Sequence, residues 1–316
     1  MDIRSTSGNT GYGLSIKSKS EEKSRFSRST WRVATLVMIL NAMLGNSSCV
    51  VLTQISDFAK ASQAVGKTFS SIQDGAEPAC KLANAFRSEK FNNMTGNKQN
   101  CQYYASIKAP LAKVNQALFN YITALGNLAN DDLSKVGSGF DNIQSELKTA
   151  DPTLTTAELT KATAAGGLAK VLTNLWASGY RQHELAKIIG DNNQAVQDVT
   201  SFLADYAANR YFEGLRYDYD TENSYCKNFA PPNEPLAPGE PLGMEILDRH
   251  CTADLDRLEA QKKAVKDFQT ALGTIGERHK KLFENKDHLD AKQLAELLGQ
   301  PTVSLASAAI SIKNAF

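Results

Sequence analysis

A chain of 316 residues that is 42% hydrophobic and 22% charged can bury the core of one or two ordinary domains, which excludes global disorder. Its 35 basic residues are balanced by 34 acidic ones, so a formal charge of +1 gives no bulk attraction to nucleic acid, which is not an expected partner. The five cysteines are an odd number, ill matched to a closed disulfide framework until one of them is set aside.

The charge balance hides a division. Residues 1 to 48 hold seven basic and three acidic residues, net +4, leaving 28 basic and 31 acidic residues from Cys49 onward, net −3. After Arg32 comes Val33-Ala-Thr-Leu-Val-Met-Ile-Leu-Asn-Ala-Met-Leu44, then Gly45-Asn-Ser-Ser48 and Cys49. A basic stretch, a short apolar run and a zone of small residues is the pattern of a signal peptide. The apolar run is shorter than the roughly 20 residues a spanning helix needs. Ser47-Ser48-Cys49 resembles the end of a bacterial lipoprotein signal, in which a small residue precedes a cysteine that is lipidated and becomes the new N-terminus; Asn46 departs from the aliphatic residue usual there. The resemblance implies a lipid anchor at Cys49 and, with Val50 rather than Asp following it, an outer-membrane destination in a Gram-negative cell. Cleavage elsewhere, with Cys49 lost or left as a spare thiol, is the alternative.

Export changes the cysteine arithmetic. Setting Cys49 aside leaves Cys80, Cys101, Cys226 and Cys251, an even set in a compartment that permits disulfides. Of the three pairings, the local one joins Cys80 to Cys101 and Cys226 to Cys251. Each ring then closes around one connection, Asn-rich between residues 92 and 100 and Pro-rich between residues 230 and 241, at the end of a helical hairpin. Each bridge is expected to stabilise by roughly 3 to 4 kcal/mol. A zinc site is disfavoured, because no two of these cysteines are close in sequence and no histidine stands at ligand spacing. No metal or cofactor is expected.

Beyond the leader the apolar residues keep helical time. Phe58, Ser62, Val65, Phe69, Ile72, Ala76, Ala79, Ala83 and Phe86 alternate steps of four and three along one seam, with Pro78 expected to kink it. Ile107, Leu111, Val114, Leu118, Tyr121, Leu125 and Leu128 repeat the rhythm, and Leu133 to Leu147 resume it after a slip at Asn130-Asp-Asp132. This predicts a helix over 103–148 bent near residue 130. Asp151-Pro152 ends it, and Thr155-Thr-Ala-Glu158 is a capping box for the next helix. Gly190-Asp-Asn-Asn-Gln194 predicts a turn or a kink. A segment from Val196 to about Tyr225 follows, then a long helix through Leu255, Val265, Phe268 and Leu282. A short helix is expected to stop at Gly299 and Pro301, with the last 15 or so residues a tail that docks on the bundle or on a partner. The fold class is all-α, an elongated antiparallel helical bundle with coiled-coil-like packing: one domain over 49–316 behind a leader over 1–48.

The search for chemistry returns no nucleophile motif, phosphate loop or metal spacing, so no catalytic residue is assigned. His183, His250, His279 and His288 read as surface or partly buried helical histidines, and Glu277-Arg-His-Lys-Lys281 as a solvated face. Asp218-Tyr-Asp-Thr-Glu222 lacks the glycine and the closing glutamate of a calcium loop. The densest aromatic region supplies a candidate binding surface: Tyr206, Arg210, Tyr211, Tyr217 and Tyr219. The competing reading packs these rings into the bundle.

With its leader, its helical body, Tyr180-Arg-Gln-His-Glu-Leu-Ala-Lys-Ile-Ile189 and Tyr121-Ile-Thr-Ala-Leu-Gly-Asn-Leu-Ala-Asn-Asp-Asp132, the chain resembles all-helical envelope lipoproteins of bacteria. The resemblance implies location and fold, and it carries over no functional residue. The expected function is that of a non-enzymatic lipoprotein, periplasmic and held to the membrane by its N-terminal lipid, that meets another envelope protein. The alternative is a ligand-binding or sensory bundle using residues 206–229.

Overall fold

The computed structural model describes residues 47–86, 100–128, 142–178, 185–228, 240–286 and 291–316, and it separates Met1–Asn46 from a second unit, Ser47–Phe316. The expectations for residues 1–46, the slip at 130–132 and the two interhelical loops fall outside the described residues. Within the second unit the described residues form helices α1 (Ser47–Phe86), α2 (Gln102–Leu128), α3 (Ile143–Ala150), α4 (Thr156–Ser178), α5 (Leu185–Tyr206), α6 (Glu213–Asn228), α7 (Glu240–Glu284) and α8 (Ala291–Ala315). A π-helical turn, Ala207–Phe212, joins α5 to α6 without a break. No strand occurs among the described residues, so the fold is all-α.

The seams read from the sequence are the core. Phe58, Ser62, Val65, Phe69, Ile72, Ala76, Ala79 and Ala83 of α1 are buried, as are all seven seam residues of α2. The capping box is formed: the Thr155 N–H donates to Glu158 Oε2 at 2.8 Å, and the Glu158 N–H donates to Thr155 Oγ1 at 3.2 Å.

Side-chain contacts fix the helix directions. Gln73 Nε2 donates to the Lys108 carbonyl and Asn115 Nδ2 to the Gly66 carbonyl, so α1 and α2 are antiparallel. Lys161 reaches Ser201, which makes α4 and α5 antiparallel, and Gln197 Nε2 donates to the Gly276 carbonyl, which does the same for α5 and α7. Phe69 stacks on Phe268 with ring centroids 5.1 Å apart, and Phe316 packs at Gly75 beside Gln261, so α1 also runs against α7. Lys263 and Asp267 meet Ser311, so α8 runs against α7 and therefore parallel to α1.

Both predicted disulfides are present, Cys80–Cys101 and Cys226–Cys251, with Cα separations of 5.6 and 5.9 Å. The antiparallel register puts them at one end of the bundle. Cys49, in the first turn of α1, stands about 46 Å from Cys80 along the helix axis.

Two expectations are corrected. Of the turn or kink expected at Gly190, the turn does not form: Ile188, Ile189, Asn192 and Val196 around it are buried, Asn192 Nδ2 donates to the Ile188 carbonyl, and packing carries α5 through. Pro301 does not stop the last helix. It lies buried inside α8, which continues to Ala315 because Leu305, Ala309 and Ile312 pack against α1 and α7. The C-terminal residues, expected to dock on the bundle or on a partner, pack on the bundle as one of its walls. The residues assigned to one helix over 103–148 form α2 and α3 with 129–141 undescribed between them.

Candidate functional site

The densest polar arrangement in the interior surrounds the π turn. The buried apolar positions Val199, Leu203, Ala207, Tyr211 and Leu215 recur in successive steps of four. An α-helix at roughly 3.6 residues per turn would rotate such a series off the core, whereas the i→i+5 bonding of a π turn takes up more residues per turn and keeps it facing inward. Tyr206 and Tyr211 consequently both point into the bundle.

Tyr206 is 3% and Tyr211 1% exposed, which corrects their assignment to a binding surface. Tyr211 is ringed by Phe69, Tyr104 and Tyr206 at centroid distances of 5.8 to 6.2 Å. Glycine at 214 leaves room for the Tyr104 hydroxyl, which a Cβ would overlap. The Tyr206 hydroxyl meets that of Tyr103, and Tyr103 donates to Asp151 Oδ2 at 2.7 Å. The buried Asp151 also accepts from the Thr153 N–H and hydroxyl, at 3.0 and 2.5 Å, and lies 3.5 Å from Arg210 Nε. Arg210 donates onward to Thr153 Oγ1 at 2.9 Å.

The electrostatics follow from this geometry. Burial opposes ionisation of Asp151, but hydrogen bonds from Thr153 and Tyr103 and the charge of Arg210 outweigh it and hold the carboxyl below its usual range. Burial is the main cause that pushes the hydroxyls of Tyr103, Tyr206 and Tyr211 well above the usual tyrosine range, and Tyr104 up to about 12. Tyr103 and Tyr206 are neutral donors and Asp151 is the charged acceptor. This network locks α2, the Asp151 corner and the π turn together.

Of the five proposed surface residues, Arg210 closes the network at its outer edge. Tyr219 is half-buried with Lys262 Nζ 4.2 Å above its ring, and Tyr217, 37% exposed, faces outward. Tyr103, Asp151 and Thr153 were missed by the sequence reading. Asp151 was read only as the residue before a helix-ending proline, and nothing local in sequence ties it to Arg210.

Two other buried groups stand apart. Glu222, on α6, is buried facing Asp254 and Arg257 of α7, beside Asp218; burial first, then Asp254, raises its carboxyl to about 7. His279 is 1% exposed, which corrects the reading of residues 277–281 as a wholly solvated face. Its Nε2 lies 3.0 Å from the Tyr121 hydroxyl and its Nδ1 3.2 Å from Asn193 Oδ1. Burial lowers it to about 4, so the ring is neutral near pH 7.

An open groove of about 600 Å³ runs between α2 and α3, lined by Ser106, Pro110, Lys113, Ser145, Glu146 and Thr149 and bridged by the Lys113–Glu146 ion pair at 2.6 Å. No group of His, Cys, Asp and Glu suited to a metal ion occurs among the described residues, and no described helix is long and apolar enough to cross a membrane. Comparison with protein-family models, curated proteins and solved structures returns no match.

Proposed function

We propose that the protein is an exported, non-enzymatic envelope lipoprotein: a disulfide-closed helical module held to a membrane through Cys49 and engaging another envelope protein. The observation that carries this reading is the pair of disulfides at one end of the bundle, because such bonds persist in oxidising compartments outside the cytosol. The basic leader, its apolar run and Ser47-Ser48-Cys49 supply the means of export and anchoring. The interior tyrosine network supports a structural role: Asp151, Arg210 and Thr153 are engaged with one another rather than presented to a substrate.

Intact mass of protein extracted from the host membrane tests the anchor. The expected result is a chain starting at Cys49 that carries two or three acyl groups. A soluble, unacylated chain starting elsewhere overturns it. Thiol labelling without reductant should find none of the four remaining cysteines reactive, and four reactive thiols would count against export.

A further inference from the structure

We propose that Cys226–Cys251 is a redox latch on the α6–α7 pair: a dithiol reductant opens it selectively, and two buried carboxyls held together beneath it then part and release the first turns of α7. The two bridges differ in access. Cys80 is 0% and Cys101 8% exposed, whereas Cys226 and Cys251 are both half-buried. A thiolate must reach a sulfur to exchange with it, so the second bridge is the open one. It also stands where packing holds α7 least: no residue from 242 to 257 is buried, and Leu258 is the first that is.

A second feature lies one turn inward from the bridge. Glu222 precedes Cys226 by four positions on α6 and Asp254 follows Cys251 by three on α7, so each carboxyl shares a helix face with its neighbouring cysteine. The bridge thereby holds Glu222, 1% exposed, against Asp254, with Asp218, 2% exposed, beside them. Among the described residues one guanidinium serves the three carboxyls. Arg257 donates to Asp254 Oδ1 from Nε at 3.3 Å and from Nη2 at 3.2 Å, and to Gln261 Oε1 from Nη1 at 3.4 Å. Other charged groups on the elements packed here are engaged elsewhere: Glu77 with Lys81 on α1, Arg210 of the π turn with Asp151, Arg216 with Glu213 on α6, and Lys262 with Glu259 on α7. Three carboxylates around one cation are costly to ionise out of water, so Glu222 holds a proton that Asp254 accepts.

In the exchange, a thiolate of the reductant attacks one Sγ of the bridge, forms a mixed disulfide and releases the other Sγ as a thiolate, which takes a proton. The reductant's second thiolate then attacks the reductant's own sulfur in the mixed disulfide and releases the remaining cysteine. Two electrons and two protons pass from the dithiol to the bridge, and the dithiol becomes a disulfide. Once the bridge is open, water reaches Glu222, its proton leaves at neutral pH, and repulsion between the carboxylates favours separation. The sign follows: the closed latch keeps a proton that the open one gives up, so opening becomes easier as pH rises from 6 to 8.

Redox titration of the full chain tests this. The chain is equilibrated in graded mixtures of reduced and oxidised dithiothreitol, quenched by alkylation and mapped by peptide mass, with Cys80–Cys101 as the internal reference. Cys226–Cys251 is expected to open at a reduced-to-oxidised ratio about tenfold or more below that of the reference. Amide exchange of the form with this one bridge open should find 242–257 unprotected and Leu258 to Ile275 protected. Measured against the reference, the ratio needed should fall by about tenfold from pH 6 to 8 in the wild type, stay level in Glu222→Gln, and lie between the two in Asp254→Asn. Both bridges opening together, Cys226–Cys251 opening with 242–257 still protected, or the same pH dependence in wild type and both variants overturns the latch. The first two readouts need only the wild type, so they decide whether or not a variant folds.

Discussion

His279 of α7 and Tyr121 of α2 share a hydrogen bond in the core, with Nε2 3.0 Å from the hydroxyl. Asn193 Oδ1 accepts from the other ring nitrogen, which fixes the neutral tautomer with the proton on Nδ1. The contact ties three helices together at the end opposite the disulfides, and it makes stability depend on pH.

An unfolded histidine titrates near 6.5, and burial brings His279 down to about 4. Between those values the unfolded chain holds the proton and the folded one does not, so this contribution is full above pH 6.5 and lost as pH falls toward 4. Glu222 has the opposite sign. Its carboxyl rises from 4.5 to about 7, so its contribution is full below pH 4.5 and lost as pH rises through 7. The two slopes oppose each other between pH 4.5 and 6.5, where the wild type is expected to change little from these two groups. Urea denaturation against pH should expose one slope at a time: Glu222→Gln falls in stability on acidification below 6.5, His279→Gln falls on raising pH from 4.5 to 7, each by about 1–3 kcal/mol.

Arg210→Ala leaves Asp151, 1% exposed, with its hydrogen bonds but without its counter-charge. Because the guanidinium is itself one-third exposed, the expected loss is about 1–2 kcal/mol rather than that of a fully buried pair. The urea midpoint measures the loss, and an upward shift of the Asp151 carboxyl in NMR titration would mark its cause. An unchanged carboxyl would remove Arg210 from the account.

Ser62 occupies a seam position of α1, fully buried, and its hydroxyl has no hydrogen-bond partner among the described residues. Ser62→Ala removes that desolvated group and improves helix propensity, so a gain of about 1 kcal/mol is expected by thermal melting. Gly66, one turn on, should behave in reverse. A Cβ there would overlap the Phe119 ring, so Gly66→Ala is expected to cost about 1–3 kcal/mol despite alanine's better propensity.

The two bridges close rings of similar size, with sequence separations of 21 and 25, and the loss of either should cost about 3–4 kcal/mol. Their local effects differ. The first turns of α7 are poorly covered, Leu242 and Ile246 being exposed, so Cys226→Ser with Cys251→Ser should release amide protection over 240–257 while Val265 to Ile275 stay protected. Uniform deprotection along α7 would show that the bridge acts on the whole bundle.

Much of this architecture was legible in the sequence because its cause is periodic. Ile107 to Leu128 bury as their spacing requires, and Thr155 with Glu158 caps the helix they announce. Pro301 misled, and the turn weighed at Gly190 did not form, because propensity is a local preference that packing on both neighbours overrides. The tyrosine network was illegible for another reason: Tyr103, Asp151 and Arg210 lie 48 and 59 positions apart and meet only through tertiary contact. The one readable sign was the run of four-residue steps from Val199 to Leu215.

That run gives the π turn a role as a phase corrector. Relaxing Ala207–Phe212 to a plain α-helix with every residue kept would rotate everything beyond it by about 100°. Either Tyr211 would leave its ring of aromatics or Cys226 would swing away from Cys251. The rod carries one residue more than a plain α-helix of that span, and the π turn that absorbs it holds the interior network and the distal bridge in step.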